Sequence, residues 1–545
     1  MDALFVAINA KYIHLNPAVR ALQANSRFST DFREFTIHDD LDAMVASILE
    51  ASTPIIGIST YIWNVSVVRE LVGRLREKTT ASIVLGGPEV AYDAEHFLKT
   101  LPIDYVVTGE GEAVIDDLIA HILYRAKRPT HNLAYLEQDK VVEMPRRPLE
   151  DLSTLKNAYG LSEEDDLRHR IVYVESSRGC PYRCTYCLSS KERGVRFFPV
   201  DTVLSIIKHI SQRGARTIKF LDRTFNANPN TLRLLEGIIA SHVPGQTYQF
   251  EITGDVLDPK VIDFIHNHAP KGLFRFEIGI QSTHEATNRS VERIQNTDKL
   301  FDIIRRIRAR DIIDLHLDLI AGLPLETLTR FKQTFNEVYG LGARELQLGF
   351  LKMLRGTKIR QEADRYGYVY DEQPPYEIHS HHDLSVDEIA RIKRVETALN
   401  AFHNKQHIGD TLPKIVAAHG DAFSFFENLH AFAIGRGFDF HRFQMHELYG
   451  VLDAFMETQS RLSACRDTLK QRFVERFSVK PRCYFPLLKR GLHHSAALHE
   501  ASKRLKLPRD AVSKHAVVFE TTEHINVAYY QNGTCRRIEI KKRPL

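Results

Sequence analysis

The sequence is poor in the features that mark membrane and disulfide-rich proteins. No apolar run approaches the roughly 18 residues that a helix needs to cross a bilayer. The first ten residues lack a basic segment followed by a small-residue cleavage site, which a signal peptide would have. Six cysteines in 545 residues are too few for a disulfide scaffold. We therefore expect a cytoplasmic protein with no membrane partner.

Tandem repeats and low-complexity tracts are also absent from the sequence. The apolar fraction of 43% and the charged fraction of 26% are ordinary for a globular protein, so bulk disorder is not expected. A length of 545 residues favours about three domains.

Charge is distributed unevenly along the chain. The net charge is +4, but residues 461–545 contain nineteen Lys and Arg against seven Asp and Glu, which leaves residues 1–460 negative overall. A basic region of this kind indicates either an anionic partner, most often nucleic acid, or a solvated cationic surface on helices. Both interpretations stay open.

Residues 1–127 alternate short apolar runs with helix-length segments. Several runs are apolar on both faces, as in the strands of a buried parallel sheet, and the repeated strand–helix unit predicts a doubly wound, Rossmann-like domain. The strand candidates are Leu4–Ile8, Glu34–Ile37, Ile55–Thr60, Ser82–Gly87 and Asp104–Gly109.

Three loops follow the last three of these strands. Ligands of such sheets bind beyond the carboxyl ends of the strands, and glycines there let the backbone approach a ligand. The segment Asn9–Pro17 after the first strand is a weaker candidate for the same edge. The candidate residues are Ser59, Thr60, Tyr61, Gly86, Gly87, Pro88, Glu89, Gly109, Glu110, Gly111 and Glu112.

The remaining chain divides into three further parts. Residues 128–165 have little periodicity and are interpreted as a linker with one hairpin. Residues 166–372 contain six more strand–helix units, which predict a partial (βα)6 barrel with its chemistry at the carboxyl ends of the strands. Residues 373–545 are predicted to be mainly helical, with a terminal hairpin at Asn532-Gly533.

The strongest chemical signal is Cys180, Cys184 and Cys187, spaced CxxxCxxC after the first strand of the second series. Three thiolates can hold three irons of a [4Fe–4S] cluster and leave the fourth iron open to a ligand. A structural zinc site usually needs two close pairs of ligands, which this loop does not supply. The scattered Cys465, Cys483 and Cys535 are interpreted as structural.

This loop and the strand–helix series around it, roughly residues 165–370, resemble the radical S-adenosylmethionine (SAM) superfamily. The resemblance implies that the open iron binds the methionine moiety of SAM, whose reductive cleavage yields a 5′-deoxyadenosyl radical. It further implies SAM contacts for six residues: Tyr186 at the adenine, Asp222 beneath the methionine end, Asp318 at the ribose, and Glu251, Gln281 and Arg293 at the ribose or the carboxylate. The carboxylates on strands, Glu251 and Asp318, could instead be paired structural charges.

The first domain resembles the cobalamin-binding domain that precedes the catalytic domain in one branch of this superfamily. The order of the two domains and the three loops support the resemblance. The DxHxxG motif, whose histidine ligates cobalt in some relatives, is absent, and neither His14 nor His38 stands in it. A flavodoxin-like domain that binds nothing is the alternative. The third region resembles an uncharacterised C-terminal extension of one subgroup.

The resemblance implies a [4Fe–4S] cluster, SAM and cobalamin as cofactors, and an electron donor such as flavodoxin or ferredoxin. The main hypothesis is methylation of an unactivated carbon with methylcobalamin as methyl donor. A second hypothesis keeps the cofactors but closes or contracts a ring, or adds a methylthio group. A third makes the basic C-terminal region an RNA-binding module, so that the enzyme acts on tRNA or rRNA.

Overall fold

The computed structural model describes residues 1–160, 164–192 and 194–542. The chain forms two compact units. The first unit contains Met1–Arg330 and Leu348–Val386, and the second contains Phe331–Gln347 together with the chain from Asp387 onward. No helix of the described residues is long and apolar enough to cross a membrane.

The first unit begins with a seven-stranded sheet of order β2-β1-β3-β4-β5-β6-β7. Strands β1 to β5 are parallel, which confirms the Rossmann-like prediction, whereas β6 and β7 add an antiparallel hairpin. The elements are β1 (Ala3–Asn9), α1 (Pro17–Asn25), β2 (Thr30–Thr36), α2 (Leu41–Glu50), β3 (Ile55–Ser59), α3 (Val65–Arg76), β4 (Ser82–Gly86), α4 (Pro88–Ala91), α5 (Ala94–Thr100), β5 (Tyr105–Val107), α6 (Ile115–Tyr124), β6 (Leu133–Glu137) and β7 (Lys140–Glu143).

The apolar side chains of β1 point alternately to the two faces of the sheet, so an apolar core forms on each face. Leu4, Val6 and Ile8 enter one apolar cluster, and Phe5 enters the other with its neighbours Ala3 and Ala7. Strand β2 begins four residues earlier than predicted, because as an edge strand it is only partly buried and its polar start gives little apolar signal. The hairpin predicted in the linker joins this sheet, where Tyr105 of β5 pairs with Tyr135 of β6.

The predicted partial barrel follows along the chain, and all of it except the segment Phe331–Gln347 lies in the first unit. Its sheet has the order β8-β11-β12-β13-β14-β15, with the carboxyl ends of its parallel strands at one end. The elements are α7 (Glu164–His169), β8 (Ile171–Val174), β9 (Ser177–Gly179), β10 (Val195–Phe197), α8 (Val200–Gln212), β11 (Thr217–Phe220), α9 (Thr231–Ser241), β12 (Thr247–Ile252), α10 (Pro259–His268), β13 (Phe274–Gln281), α11 (Glu285–Ser290), α12 (Thr297–Arg308), β14 (Asp314–Ala321), α13 (Leu328–Tyr339), β15 (Glu345–Phe350), α14 (Lys358–Gln361), α15 (Ala363–Tyr366), β16 (Val369–Tyr370) and β17 (Ile378–Ser380).

The second unit is mainly helical, as predicted, and ends in a three-stranded antiparallel sheet. Asn532 and Gly533 have φ of 50° and 75°, as the predicted two-residue hairpin turn requires. The elements are α16 (Val386–Leu399), α17 (Thr411–His419), α18 (Ala422–Gly435), α19 (Met445–Glu457), α20 (Ser463–Glu475), α21 (Leu492–Leu505), α22 (Arg509–His515), β18 (Ala516–Glu520), β19 (His524–Gln531) and β20 (Thr534–Lys541).

Candidate functional site

The cysteine loop lies at the carboxyl end of β8, and its backbone is hydrogen-bonded to two other segments of the chain. The amide of Thr185 donates to the carbonyl of Val291 over 2.9 Å, and the amide of Ile359 donates to the carbonyl of Thr185 over 3.1 Å. Cys184 is buried and the other two cysteines of the loop are half-buried. The barrel therefore fixes the backbone that carries the three thiols.

The donor set of this loop fits an iron–sulfur cluster better than zinc. Burial raises the pKa of Cys180, and so do the charges of the other two thiols, which are therefore close to it. Thiols bound to one zinc at about 2.3 Å lie roughly 4 Å apart. In the described part of the chain, the Sγ atoms of the three cysteines do not all lie within 4.8 Å of one another. This wider spacing suits thiolates bound to different irons of a larger cluster.

Arg293 lies beside the cysteine loop rather than at a distance from it. Its guanidinium donates to the hydroxyl of Tyr186 over 3.4 Å and to Sγ of Cys184 over 3.9 Å, and it also donates to the carbonyl of Gly279. Burial lowers the pKa of Arg293, but Tyr186 and Cys184 outweigh this and the pKa is raised. Two residues assigned to SAM by the resemblance therefore contact each other next to a predicted cluster ligand.

Asp222 holds the strand that leads into the cysteine loop. Its carboxylate accepts hydrogen bonds from the amide of Ser176 over 2.9 Å and from the hydroxyl of Ser177 over 2.6 Å. The Ser176 hydroxyl is a third donor. Burial raises the pKa of Asp222 above its ordinary value in spite of these bonds. Both oxygens are thus used inside the protein, and a contact between Asp222 and SAM stays a prediction.

Three carboxylates crowd the barrel near the predicted SAM site. Burial raises the pKa of Glu251 to about 7, and the charges of Glu277 and Asp318 act in the same direction, while Arg223 opposes them. Because these carboxylates repel one another, the group of Glu251, Glu277 and Asp318 favours a cationic ligand.

His316, which the sequence analysis missed, orients one of these carboxylates. Nη2 of Arg275 donates to Nδ1 of His316 over 2.8 Å, so Nε2 carries the proton and faces Oδ1 of Asp318 at 3.0 Å. The donor atoms of Glu277, His316 and Asp318 lie within 4.8 Å of one another, but the Arg275 cation disfavours a metal ion there. In the sequence His-Leu-Asp of β14, the first and third residues lie on the same side of the strand. This pattern could have indicated that His316 lies beside Asp318.

Gln281 has a side-chain oxygen that needs a hydrogen-bond donor. Its backbone φ is 67°, and its buried Oε1 has no hydrogen-bond partner among the described residues. Gly279 makes room for its amide, because a Cβ there would lie 2.3 Å from Nε2 of Gln281. A buried acceptor without a partner is costly unless a ligand supplies a donor, such as a hydroxyl or amino group.

A cavity of about 420 Å³ extends from the loop edge of the N-terminal sheet to the cysteine loop. It is also lined by residues that were not assigned to it from the sequence, among them Tyr92, Arg178, Leu221 and Arg223. Nine of the eleven loop residues proposed from sequence line it: Ser59, Tyr61, Gly86, Gly87, Pro88, Gly109, Glu110, Gly111 and Glu112.

The lining of this cavity suits one face of a large cofactor such as cobalamin. Its inner part is apolar and lies between the sheet and helices α1 and α6, where Phe5, Leu22, Val84 and Val107 line it. A Cβ at Gly111 would lie 2.8 Å from Leu22, so any larger residue would press on this wall. The outer part reaches Gly179 and Leu188 on either side of the cysteine loop, so a group held there would lie beside that loop.

Two of the proposed loop residues, Thr60 and Glu89, do not line the cavity. Thr60 is fully buried, and its backbone is so close to Gly87 that a Cβ there would lie 2.5 Å from the Thr60 carbonyl oxygen. Glu89 is buried and accepts a hydrogen bond from the hydroxyl of Tyr376. These two residues fix the loop, whereas their neighbours border the cavity.

Glu110 and Glu112 connect the two parts of the first unit. Arg178 lies 3.3 Å from Glu110 and 2.8 Å from Glu112, and Arg196 lies 2.9 Å from Glu110. Burial acts to raise the pKa of Glu110, but the hydrogen bonds from Arg196 and Leu149 and the two cations outweigh it and lower the pKa. Because Arg178 precedes the cysteine loop, these contacts set that loop against the cavity.

The histidines considered for cobalt lie elsewhere. His14 faces Tyr173 at 2.6 Å, and its backbone forms a parallel bridge with Ile171 at the edge of the barrel sheet. His38 is exposed at the end of β2. Of the segment Asn9–Pro17, only Pro17 lines the cavity among the described residues.

Three family models match consecutive parts of the chain. The B12 binding domain matches residues 5–119, the radical SAM superfamily matches residues 174–338, and a protein family of unknown function, DUF4080, matches residues 364–510. These ranges correspond to the loop-edged sheet, the barrel and much of the second unit.

Several characterised proteins are similar over part of their length. The anaerobic magnesium-protoporphyrin IX monomethyl ester cyclase of Synechocystis is 26% identical over 43% of this chain and 48% of its own. The 2-(S-pantetheinyl)-carbapenam-3-carboxylate methyltransferase of Streptantibioticus cattleyicolor is 23% identical over 58% of this chain and 49% of its own. The chain thus spans about half the length of these relatives.

The fold is also similar to a solved structure. The cobalamin-dependent SAM radical enzyme OxsB, solved with aqua-cobalamin and SAM, superposes with a TM-score of 0.63 and 14% identity, over 92% of this chain and 83% of that chain. At this identity the match speaks for the fold alone. Together with the fold and the cysteine loop, the family models show a B12 binding domain at residues 5–119 followed by a radical SAM domain at residues 174–338.

Proposed function

We propose that the protein is a cobalamin-dependent radical SAM methyltransferase. The observation that supports this most directly is the single cavity bordered by the loop edge of the B12 binding domain on one side and by Gly179 and Leu188, which flank the cysteine loop, on the other. A methyl donor held at the edge would then lie beside a substrate held at the barrel mouth, as transfer between the two requires.

Each cofactor has its own group of residues. Cys180, Cys184 and Cys187 would hold the [4Fe–4S] cluster, and the cavity would hold cobalamin. When bound, the cluster supplies the electron that cleaves SAM into a hydrogen-abstracting radical, and cobalamin supplies the methyl group.

The chain's own residues bind and orient SAM beside the cluster. The crowded carboxylates at Glu251 and Asp318 provide a negative potential for the cationic amino and sulfonium groups of SAM. Gln281 offers an acceptor oxygen. Arg293 supplies positive charge beside Cys184 and Tyr186. Glu251, Gln281, Arg293 and Asp318 are each half-buried, so a bound ligand can reach them.

Methyl-labelled SAM tests the proposal. Anaerobically reconstituted protein with cobalamin and a strong reductant should form 5′-deoxyadenosine and should recover the label with cobalamin. Formation of 5′-deoxyadenosine without any label on cobalamin or product would contradict methyl transfer. It would favour the ring chemistry for which the Synechocystis relative is named. Methylthiolation has less support, because the sequence holds no second close set of cysteines.

A further inference from the structure

The second unit carries a surface on which exposed aliphatic side chains lie among exposed cations. It is formed by the segment between α20 and α21, the first residue of α21 and the first residue of α22. We call it the basic–apolar surface and define it by Val479, Lys480, Leu487, Lys489, Arg490, Leu492 and Arg509.

The aliphatic members of the basic–apolar surface are unusually exposed. Leu492 is 89% exposed, Val479 67% and Leu487 44%. The next residue, Leu488, donates from its amide to the carbonyl of Val518 over 2.9 Å, so the segment is attached to β18 rather than free. Exposed aliphatic side chains on an ordered segment mark a contact surface, because water solvates them poorly.

The cations of the surface are close together and are not neutralised. Within the described residues, none of Lys480, Lys489, Arg490 and Arg509 forms an ion pair, although other cations of this unit do. Burial lowers the pKa of His494, and Arg490, Arg509 and Lys480 lower it further, so these three cations lie near one imidazole. The surface therefore carries concentrated positive charge.

We propose that the basic–apolar surface docks the protein on a membrane that contains anionic lipids. Lys and Arg would meet the headgroups, while Val479, Leu487 and Leu492 would enter the boundary of the acyl chains. The expectation of no membrane partner rested on the lack of a spanning segment, which a surface-bound protein does not need.

The side chains favour lipid over RNA as the partner. Single-stranded RNA is bound by cations together with exposed aromatic rings on which bases stack. The aromatic residues of this segment face inward instead: Tyr484 and Phe485 pack on Phe473 with ring centroids 5.1 Å and 6.0 Å away. Exposed leucines gain little from a nucleic acid but gain from hydrocarbon.

Vesicle co-sedimentation of the full-length protein tests the proposal. The probes are vesicles of phosphatidylcholine alone and vesicles of equal parts phosphatidylcholine and phosphatidylglycerol, together with a single-stranded RNA in filter binding. No SAM is added, so the result does not depend on the proposed reaction. We expect binding to the anionic vesicles, weak binding to the neutral ones, and loss of binding as salt is raised.

Two double variants separate the two parts of the surface. Lys489→Gln with Arg490→Gln should weaken anionic-vesicle binding by roughly fivefold for each cation removed. Leu487→Gln with Leu492→Gln keeps every charge and should weaken binding by about tenfold or more. The controls are Lys541→Gln and Ile434→Gln, which remove an exposed cation and an exposed aliphatic side chain elsewhere in the same unit and should leave binding unchanged.

Three outcomes would overturn the proposal. One is equal vesicle binding by the leucine variant and the native chain, which would mean that the exposed leucines do not contribute to binding. Another is RNA binding that depends on Lys489 and Arg490 without vesicle binding, which would assign the surface to nucleic acid. The third is no binding to anionic vesicles even at low salt.

Discussion

The guanidinium of Arg293 lies 3.9 Å from Sγ of Cys184, a predicted ligand of the cluster. The same side chain reaches the Tyr186 hydroxyl and the Gly279 carbonyl, so one half-buried cation links the cysteine loop to the end of β13. A positive charge in this position stabilises the anionic thiolate and any carboxylate bound beside it.

Replacing Arg293 should therefore weaken SAM binding without removing the cluster ligands. We expect Arg293→Gln to retain iron but to lose about 2 kcal/mol of SAM binding, roughly thirtyfold in affinity, because charge-assisted hydrogen bonds are lost. Arg293→Lys should lose less, since it keeps the charge. Equilibrium dialysis with SAM and iron analysis provide the measurements, and exposed Arg289→Gln is the control. Unchanged SAM affinity in Arg293→Gln would argue against the assignment.

Removal of a single loop cysteine should abolish the cluster. Cys184→Ala leaves two thiolates, too few to retain a cluster that the native loop binds with three. We expect reconstituted Cys184→Ala to lack the iron–sulfur absorbance and to leave SAM intact. Cys465→Ala removes a half-buried free thiol outside the loop and should keep both the cluster and SAM cleavage. A full iron content in Cys184→Ala would contradict the ligand assignment.

Glu251 should make the stability of the ligand-free protein depend on pH. Its pKa is raised to about 7 in the folded chain, so folding is penalised increasingly as pH rises from the unfolded value of about 4.3 through 7. Glu251→Gln removes the penalty. We expect the stability of this variant relative to the native chain to increase by about 2 kcal/mol between roughly pH 5.5 and 8.5.

Denaturant unfolding at the two pH values measures this difference. The fluorescence of Trp63, the only tryptophan of the chain, reports the unfolding of the unit that contains Glu251. Exposed Glu236→Gln is the matched control and should show no such trend. A difference that stays constant with pH would mean that Glu251 is already ionised at the lower pH.

His316 should affect SAM binding through Asp318. In His316→Leu the carboxylate loses the imidazole Nε2 that lies 3.0 Å from its Oδ1, and we expect a fall in SAM affinity of about fivefold, which is typical of one lost polar contact. His316→Gln can place an amide nitrogen near the original Nε2 and should recover most of the affinity. Dialysis with SAM distinguishes the two variants. Equal losses in both would indicate that the ring only fills space.

The junction at Glu110 should contribute far more stability than a surface ion pair. Glu110→Gln leaves Arg178 and Arg196 partly uncompensated in a buried place, and we expect a loss of about 3 kcal/mol in the free energy of unfolding. Glu137→Gln breaks the exposed pair with Arg128 and should cost less than about 1 kcal/mol. Trp63 fluorescence in urea measures both, and similar losses would place Glu110 among ordinary surface charges.

Local sequence determined much of the fold. The strands of the two parallel series are apolar on both faces or alternate regularly, and the predicted strand Leu4–Ile8 lies within β1. Strands β3 and β4 differ from prediction by one residue at their ends. The exposed edge strand β2 was placed late, because partial burial leaves a weak apolar signal.

The sequence by itself determined the chemistry that neighbouring residues carry, because spacing along the chain fixes which atoms can meet: the three thiols of one loop and the glycines after β4 and β5 are examples. Only the tertiary structure decided which charged residues face the cavity and which hold the fold together. Asp222 and Glu89 were expected at ligands, yet serine donors and Tyr376 engage them, whereas Arg223 borders the cavity without having been proposed. The reason is that a buried charged group is stable only when it is paired or hydrogen-bonded, and here its partner lies on a strand or loop distant in sequence.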